Sequence, residues 1–532
     1  MTETLRRYPA PSTLAPAGLT LRERWHRVRL SCAGRLGTAV LRLALRHPAS
    51  WRWLAGRHHP LLDRLAAVNA RAVCALAALD VPAYRSFLRG HPAEVDVRVR
   101  RRLGDFPETD KENYVVPYPA ARRCWGGRLP AHGVVVDESA GSSGRPFNWP
   151  RGERELRAVH RDIAGYTNLV FPMRRPFVIN AYSMGAWATG TTTGAAMARI
   201  AVVKNTGPDL GKVIDTLREF GPDFDYLVTA YPPFLKHLRD RLDADGFDWS
   251  SHRISASCGG EGMTEALRSY LEERFGRVRS AYGASDLTIG IGAETAFTVW
   301  LRRRLWTDVR FRAALLGADE QRLPMVFQYN PLATYLETNE RRELLCTVTS
   351  LDVLQPRLRY NVGDEAVLLP YRRILDLLRD DPAGRAECRA AQAGERMTLP
   401  LLLLFGRRDD STISYLGANL YPQDVEYGLY AGNPYAAEIS RFRLALVEDA
   451  GLESRPVVHL ELRRPLAGPV RDALAATCRD GVRRHLAAVS RDFAQSLTED
   501  PTAGDLRVEL HEAGTGPFAG EQKIKNVYLL GG

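Results

Sequence analysis

An α/β fold is what the sequence predicts: a large N-terminal domain with parallel-type sheets covered by helices, followed by a small mobile C-terminal α+β domain. Three observations carry this. From about residue 175, short apolar runs and amphipathic segments alternate at βαβ spacing. After a polar break, RRDD at 407–410, the pattern changes to paired strands, a long helix and a last strand. A chain of 532 residues is also too long for a single core.

Residues 1–65 form a zone of their own, rich in Arg, Trp and Leu, as in LRERWHRVRLSCAGRLGTAVLRLALRHPASWRWLAG. Apolar residues recur there at helical spacing between arginines, which predicts a basic amphipathic helical extension. Such a helix can lie on a membrane surface, but more often it packs on its own protein or on a partner. Residues 66–406 follow as the large domain. RPFVINAY reads as a strand, PDLGKVIDTLREFG as a helix and DYLVTAY as a strand. PPFLKHLRDRLDADG is a helix, with Pro at its start and Gly at its end. HRISASCG, TEALRSYLEERFG and VRSAYG continue as strand, helix and strand. Two small-residue turns, CGGEG at 258–262 and YGASD at 282–286, fall at strand ends, where ligands gather in such sheets. Residues 371–400 read as a charged helical insertion before LPLLLLFG. Residues 407–532 form the small domain: RFRLALVED pairs with PVVHLELRR, PVRDALAATCRDGVRRHLAAVSRDFAQSL is a long helix, and LRVELHEA is a strand.

The net charge is +11, but only six of the 73 basic residues are lysine. That bias reflects coding composition and not nucleic-acid binding, and no zinc-finger spacing or basic-aromatic platform is present. A lysine is correspondingly more informative here than usual. The seven cysteines are scattered and never form CxxC. They predict reduced thiols in a cytoplasmic protein with no structural zinc. No apolar run follows the Arg6–Arg7 pair to make a signal peptide, and no run is long enough to span a membrane.

SAGSSGRP at 139–146 is a hydroxyl-rich loop of the kind that can wrap phosphates, but it is not a Walker A loop, because Gly144 is followed by Arg145 and Pro146. It stands in an ordered series: TDKE (109–112), SAGSSGRP, CGGEG, YGASD, YNVGD (360–364), FGRRDD (405–410), YLGANLYPQDVE (415–426) and GEQKIKNVYL (520–529). The series resembles the adenylate-forming superfamily of acyl-CoA synthetases and adenylation domains, and within it the phenylacetate–CoA ligase branch. NAYSMGAWATGTTTG (180–194) and the stretch 205–235 support that branch. The resemblance covers roughly residues 70–530 and leaves the first 65 unaccounted for.

The resemblance implies an enzyme that uses ATP and Mg²⁺ to join a carboxylate to AMP, then passes the acyl group to a nucleophile such as the thiol of coenzyme A. By position, it implies that Ser139, Ser142, Ser143 and Gly144 cradle the β- and γ-phosphates. Gly259, Gly260 and Glu261 run along the adenine, Tyr282 stacks on it beside Gly283, and Ser285 meets the α-phosphate. Asp286 helps hold the metal, Asp364 accepts from the ribose hydroxyls, and Arg407 contacts the ribose and phosphate side. Asp409 falls at the hinge, Lys523 (with Lys525 as runner-up) reaches the carboxylate and α-phosphate, and Gly417 lines the thiol's approach. The acid pocket involves Tyr182, Met184, Gly185 and Trp187, and the branch implies an aromatic acid.

The chain departs from the family pattern in several places. Asp286 stands where Glu is usual, the phosphate loop lacks its usual threonine pair, and no small residue directly precedes Lys523. These departures bear on the acceptor more than on nucleotide binding. Two other readings therefore stand beside the first. One is a relative that adenylates another oxyanion, such as nitrite for diazotisation of an aryl amine, or transfers its acyl group to an amine. The other is a non-catalytic nucleotide-binding interaction protein. The partners implied are a small-molecule acid and an acceptor, with a homodimer or a carrier-protein partner compatible with the sequence.

Overall fold

A computed structural model of the chain describes residues 20–44, 48–57, 59–91, 102–139, 147–185, 188–260, 262–407, 413–415, 418–448, 454–490, 493, 494, 497 and 506–519. Four helices come first: α1 (Leu21–Ala44), α2 (Pro48–Ala55), α3 (Pro60–Asp80) and α4 (Pro82–Gly90). Thr20 and Glu23 cap α1 reciprocally. Its inner side packs on the body. Arg27 pairs with Asp80 at 2.9 Å, and Gly34 lies so close to Leu351 that a Cβ would stand 2.6 Å from its Cδ1. The outer side leaves Leu21, Trp25, Val28, Leu36 and Leu43 exposed. Ala66, Ala70, Ala77 and Ala78 let α3 sit close against its neighbours in a core shared with Tyr84, Phe106 and Tyr114.

The hairpin β1 (Val134–Ser139) and β2 (Phe147–Gly152) leads into α5 (Glu153–Val170). Then comes the alternation, in which all but α6 and β4 were predicted: β3 (Pro176–Asn180), α6 (Ala188–Met197), β4 (Val202–Asn205), α7 (Leu210–Phe220), β5 (Asp225–Ala230), α8 (Pro232–Ala244), β6 (Arg253–Gly259), α9 (Glu265–Glu272) and β7 (Val278–Tyr282). β8 (Gly292–Ala293), α10 (Ala296–Thr307), α11 (Val309–Leu316), β9 (Met325–Tyr329), β10 (Thr334–Thr338), β11 (Glu343–Val348) and β12 (Tyr360–Leu369) follow. Helices α12 (Tyr371–Leu377) and α13 (Pro382–Ala391) fill the expected insertion before β13 (Leu401–Arg407).

These strands form one sheet in the order β10-β11-β12-β13-β9-β8-β7-β6-β5-β3-β4. The β4-β3-β5-β6-β7 half is parallel, as the helical crossovers require. The other half is antiparallel, so the sheet is mixed and not parallel throughout. The short turn Asn339–Arg342 joins β10 to β11, with Arg342 at φ +63°, while helix pairs link β8 to β9 and β12 to β13.

Beyond β13 lie the hairpin β14 (Ile413–Tyr415) and β15 (Ala418–Leu420), then α14 (Pro422–Tyr430). β16 (Ile439–Glu448) pairs antiparallel with β17 (Ser454–Leu462), α15 (Gly468–Val489) crosses over, and β18 (Arg507–His511) adds parallel to β17. Leu444, Val458, Leu460, Leu474, Cys478 and Val482 form the core of this body. α14 and α15 cross in near contact, because a Cβ on Gly428 would stand 2.3 Å from Val482 Cα. The small body rests on α8, α9 and α10. Lys236, 1% exposed, donates to Ile439 O at 2.8 Å and to Asp240 at 2.9 Å. His237 meets Ser440 O at 3.0 Å, and burial pushes its imidazole down to about 4. Trp306 packs on Tyr427 and His485 across the same seam. No single described helix is long and apolar enough to cross a membrane.

Candidate functional site

β6 and β7 lie side by side and end together, so their C-terminal turns form one rim. Gly260 takes φ +85°, and a Cβ there would stand 2.6 Å from the Tyr231 ring. Glycine is needed twice over, for the conformation and for the close approach. Tyr231 crosses Tyr182 edge to face at 5.3 Å, and the Tyr182 hydroxyl donates to Ser257 O at 3.3 Å. Gly283 is needed in the next turn for close approach alone, where a Cβ would lie 2.8 Å from Gly290 N.

Tyr282 closes β7, packs on Phe327 and donates its hydroxyl to Asp364 Oδ2 at 2.6 Å. That length is typical of a bond to a carboxylate. Asp364 sits on β12 directly opposite Arg407 on β13. Thus the predicted Tyr282, Asp364 and the backbone of Arg407 meet beside the predicted glycine turns.

The YGASD turn is held from beneath by two buried arginines. Arg151 donates to Ser285 O and Leu287 O, both at 2.5 Å, and Arg357 donates to the intervening Asp286 O at 2.7 Å. Arg151 is balanced by Asp137 and Glu155. Burial, with Arg151 next, pushes the Arg357 guanidinium down to about 9, so it stays a cation at neutral pH. Trp149 packs between Arg357 and Arg123, with both guanidinium groups within 6 Å of its ring.

Asp286 is 8% exposed. Its Oδ2 takes the Lys111 ammonium at 3.1 Å and the Tyr360 hydroxyl at 3.1 Å. Burial and the Asp286 charge raise the Tyr360 phenol far above its ordinary range, so it stays protonated and donates to that carboxylate. Lys111 arrives here because the chain at Thr109 pairs with the start of β12: Asn361 N donates to Thr109 O at 2.7 Å. Asp110 then caps the turn that Lys111 begins. This arrangement does not fit the metal role predicted for Asp286. Mg²⁺ is held by one or two carboxylates together with waters and substrate phosphates, but the Asp286 oxygen that faces this side is already taken by an ammonium and a phenol.

Behind Tyr282 and Gly260 lies a cavity of about 90 Å³, walled by Tyr182, Val170, Phe171, Thr193, Met197 and Gly292. Tyr182 lines it as predicted, but Met184 and Gly185 do not. Gly190 packs on the 183 carbonyl (a Cβ would stand 2.2 Å from it), which turns 183–185 back over the start of α6. Gly185 is exposed and Met184 faces Asn180. Thr189 and Thr193 of α6 take their place on the cavity wall.

Among the other predicted residues, Ser142, Ser143, Gly144, Trp187, Glu261, Asp409, Gly417, Lys523 and Lys525 lie outside the described residues, as do the side chains of Ser139 and Arg407. Sequence reasoning did not assign Lys111, Tyr360, Arg151 or Arg357. The scarcity of lysine singled out Lys111 but gave it no task. The two arginines carried no signal in a chain so rich in them.

No protein-family model matches the sequence, and no curated protein matches it. Solved structures do match. 2-Hydroxyisobutyryl-CoA ligase, in its postadenylation state with R3-HIB-AMP, is 16% identical over 88% of this chain and 89% of its own, with a TM-score of 0.60. The same ligase with 2-HIB-AMP and CoA in the thioesterification state is 15% identical over 90% and 91%, with a TM-score of 0.50. The fold is therefore that of an adenylate-forming acyl-CoA ligase.

Proposed function

We propose that the chain activates a carboxylic acid with ATP as an acyl-adenylate and then hands the acyl group to a thiol such as coenzyme A. The observation that carries this is the meeting of Gly260, Tyr282 and Asp364 at the rim of a cavity, at the strand ends of an adenylate-forming ligase fold. In this reading the adenine lies along Gly259 and Gly260 against Tyr282. Asp364, already aimed by the Tyr282 hydroxyl, accepts from the ribose.

The cavity takes the acid. Its volume of about 90 Å³ is below the ~150 Å³ that holds benzene in an apolar protein cavity. On that scale a short branched acid fits the cavity as it stands, a monocyclic aromatic acid fits only with side-chain movement, and a bicyclic one is excluded. Tyr182, Phe171 and Met197 supply apolar contact, and Thr189 and Thr193 supply polar points.

In the first step a carboxylate oxygen bonds to the α-phosphorus, the bond to the β-phosphate oxygen breaks, and pyrophosphate leaves. In the second the thiol sulfur bonds to the acyl carbon, the C–O bond to AMP breaks, and the thiol proton is released. The enzyme's task in the first step is to hold two anions together. Lys523, from the tail, is the residue we assign to that task. Lys111 holds a fixed positive charge behind the YGASD turn and keeps Asp286 from repelling the phosphates. The difference in TM-score between the two states of the ligase supports a body arrangement nearer to the postadenylation one.

Pyrophosphate exchange into ATP with a panel of acids tests the reading. Exchange with small aromatic or branched acids is expected, and its absence with every acid and with nitrite defeats it. Supplying coenzyme A or an amine and weighing the product then identifies the acceptor. Lys523→Ala is expected to abolish exchange while sparing thiol transfer from supplied acyl-adenylate.

A further inference from the structure

One side-chain cluster lies outside the site just described, on the small body. β17 and β18 run parallel with His459 opposite Glu509 and Glu461 opposite His511. Alternation puts residues 459, 461, 509 and 511 on one face of the sheet. The other face, with Val458 and Leu460, packs on α15 in the core. His459 Nδ1 lies 3.1 Å from His511 Nε2 and 3.2 Å from Glu509 Oε2, and the last two atoms are 3.8 Å apart.

These three lengths define a triangle, and its geometry decides what can sit inside. A point about 2.0 Å from all three atoms exists, which matches Zn–N of about 2.0–2.1 Å and Zn–O of about 2.0–2.2 Å. A proton cannot serve all three atoms, since one N–H satisfies one acceptor well. A cation can. Two imidazole nitrogens and one carboxylate oxygen are a borderline donor set that suits zinc, with one coordination position left for water.

The ligands are also held in place. Arg507 Nε takes the other oxygen of Glu509 at 2.9 Å, which leaves Oε2 turned towards the histidines. Gly516, at φ +56°, closes on His511 so tightly that a Cβ would stand 2.5 Å from its Nδ1. Phe518 packs edge-on against the same ring, at 5.8 Å between centroids. Ligands on two paired strands with their outer atoms fixed are what a metal site needs. Two cations face the cluster, Arg507 on β18 and Arg443 on β16. Glu509 offsets the first, and the carbonyl of Pro517 accepts from the second.

We propose that His459, Glu509 and His511 bind one Zn²⁺ ion, a site separate from the nucleotide rim. The ion pins β17 and β18 beneath the 514–518 turn, directly before the tail that carries Lys523. The cysteine spacings predict no structural zinc, and these ligands carry no local sequence signature, because 459 and 509 are brought together only by the parallel pairing.

The test uses the full chain freed of metal with a chelator. Equilibrium dialysis against zinc, with metal analysis, is expected to give one ion per chain and a raised thermal midpoint. Co²⁺ in its place is expected to give visible absorption of a nitrogen/oxygen site without the thiolate charge-transfer band that the free cysteines would produce. His511→Asn and Glu509→Gln are each expected to weaken binding by 10-fold or more, on the scale of lost metal-site partners. Their melting in chelator should equal that of the parent, which separates lost binding from lost folding. No stoichiometric binding by the parent chain, a thiolate-type cobalt spectrum, or unchanged affinity in both variants overturns the proposal. The cobalt spectrum of the parent decides the matter if a variant does not fold.

Discussion

Glu426 on α14 gives a pH prediction that can be worked through. It is 1% exposed, at the seam where the small body meets α9 and α10. Burial pushes its carboxyl up from 4.5 to about 8, against the opposing pull of Arg302 and of Thr264. The carboxyl is therefore protonated in the folded protein at neutral pH and ionised in the unfolded chain. Its contribution is intact below the unfolded pKa and is lost as pH rises through about 8. The shift of about 3.5 units, at ~1.36 kcal/mol each, sets a ceiling near 5 kcal/mol, of which about 3–4 kcal/mol is lost between about pH 5 and 8. His237 works in the opposite sense. Held down to about 4 in the fold, it adds stability as pH rises through its unfolded value of 6.5. The comparison that isolates Glu426 is thus between the parent and Glu426→Gln, which keeps the neutral shape and cannot ionise. In urea unfolding from about pH 5 to 8.5, the variant should gain on the parent by a few kcal/mol, with every other titrating group cancelling. Parallel pH profiles for the two proteins would refute the reasoning. If the seam opens as Glu426 ionises, small-angle scattering should show the parent expanding at alkaline pH and the variant staying compact.

Three further outcomes follow from the rim. Lys111→Ala strands the Asp286 carboxylate, whose side chain is 11% exposed, and should cost about 3–5 kcal/mol in chemical denaturation, with weakened ATP-dependent exchange. Adding Asp286→Asn should recover much of the stability without recovering exchange. Tyr282→Phe removes a donor to a carboxylate and should raise the apparent KM for ATP by about 10-fold, as expected for a bond worth about 1.5–3 kcal/mol, with a smaller change in kcat. Gly260→Ala places a methyl 2.6 Å from Tyr231 at a positive φ and should cost about 1–3 kcal/mol, visible as a lowered thermal midpoint together with lost nucleotide binding.

The elements that were legible in the sequence are those whose period is local. β3, α7, β5, α8, β6, α9 and β7 each show in their own run of apolar residues, and so do the β16–β17 pair and α15, whereas α6 and β4 were not among the predicted elements. The predicted parallel-type sheet turned out half antiparallel, because pairing direction belongs to the connections. After β7 the chain turns back beside the strand it has just left, through a short turn at β10–β11 and through helix pairs that do not cross over at β8–β9 and β12–β13. The long helix predicted to reach residue 497 is interrupted at Ser490, where α15 ends, and residues 493, 494 and 497 beyond it are helical. The stretch predicted for the acid pocket is divided between the cavity and the surface for a similar reason. NAYSMGAWATGTTTG is a single stretch in sequence, but the contact of Gly190 with residue 183 folds it so that Thr189 and Thr193 reach the cavity while Met184 and Gly185 do not.

The cations show most clearly what a sequence with this composition hides. Arg151 and Arg357 between them hold three successive carbonyls of the YGASD turn, and neither differs in local context from dozens of other arginines. What distinguishes them is burial, at 3% and 2% exposure, and burial is a property of the assembled fold. Lys111 shows the converse. Its rarity marked it, but its partner Asp286 had been assigned to a metal, and only the pairing of the chain near Thr109 with β12 brings the ammonium to that carboxylate. A buried carboxylate can be neutralised by a side chain or by an ion. Since the chain supplies the side chain, the positive charge at this turn is built in before any nucleotide arrives. Exchange assays at rising Mg²⁺ should then show the same half-saturating concentration for Lys111→Ala and the parent, as expected if the ion acts away from Asp286. A lower requirement in the variant would mean that removing the ammonium opens that carboxylate to Mg²⁺, and would refute the assignment.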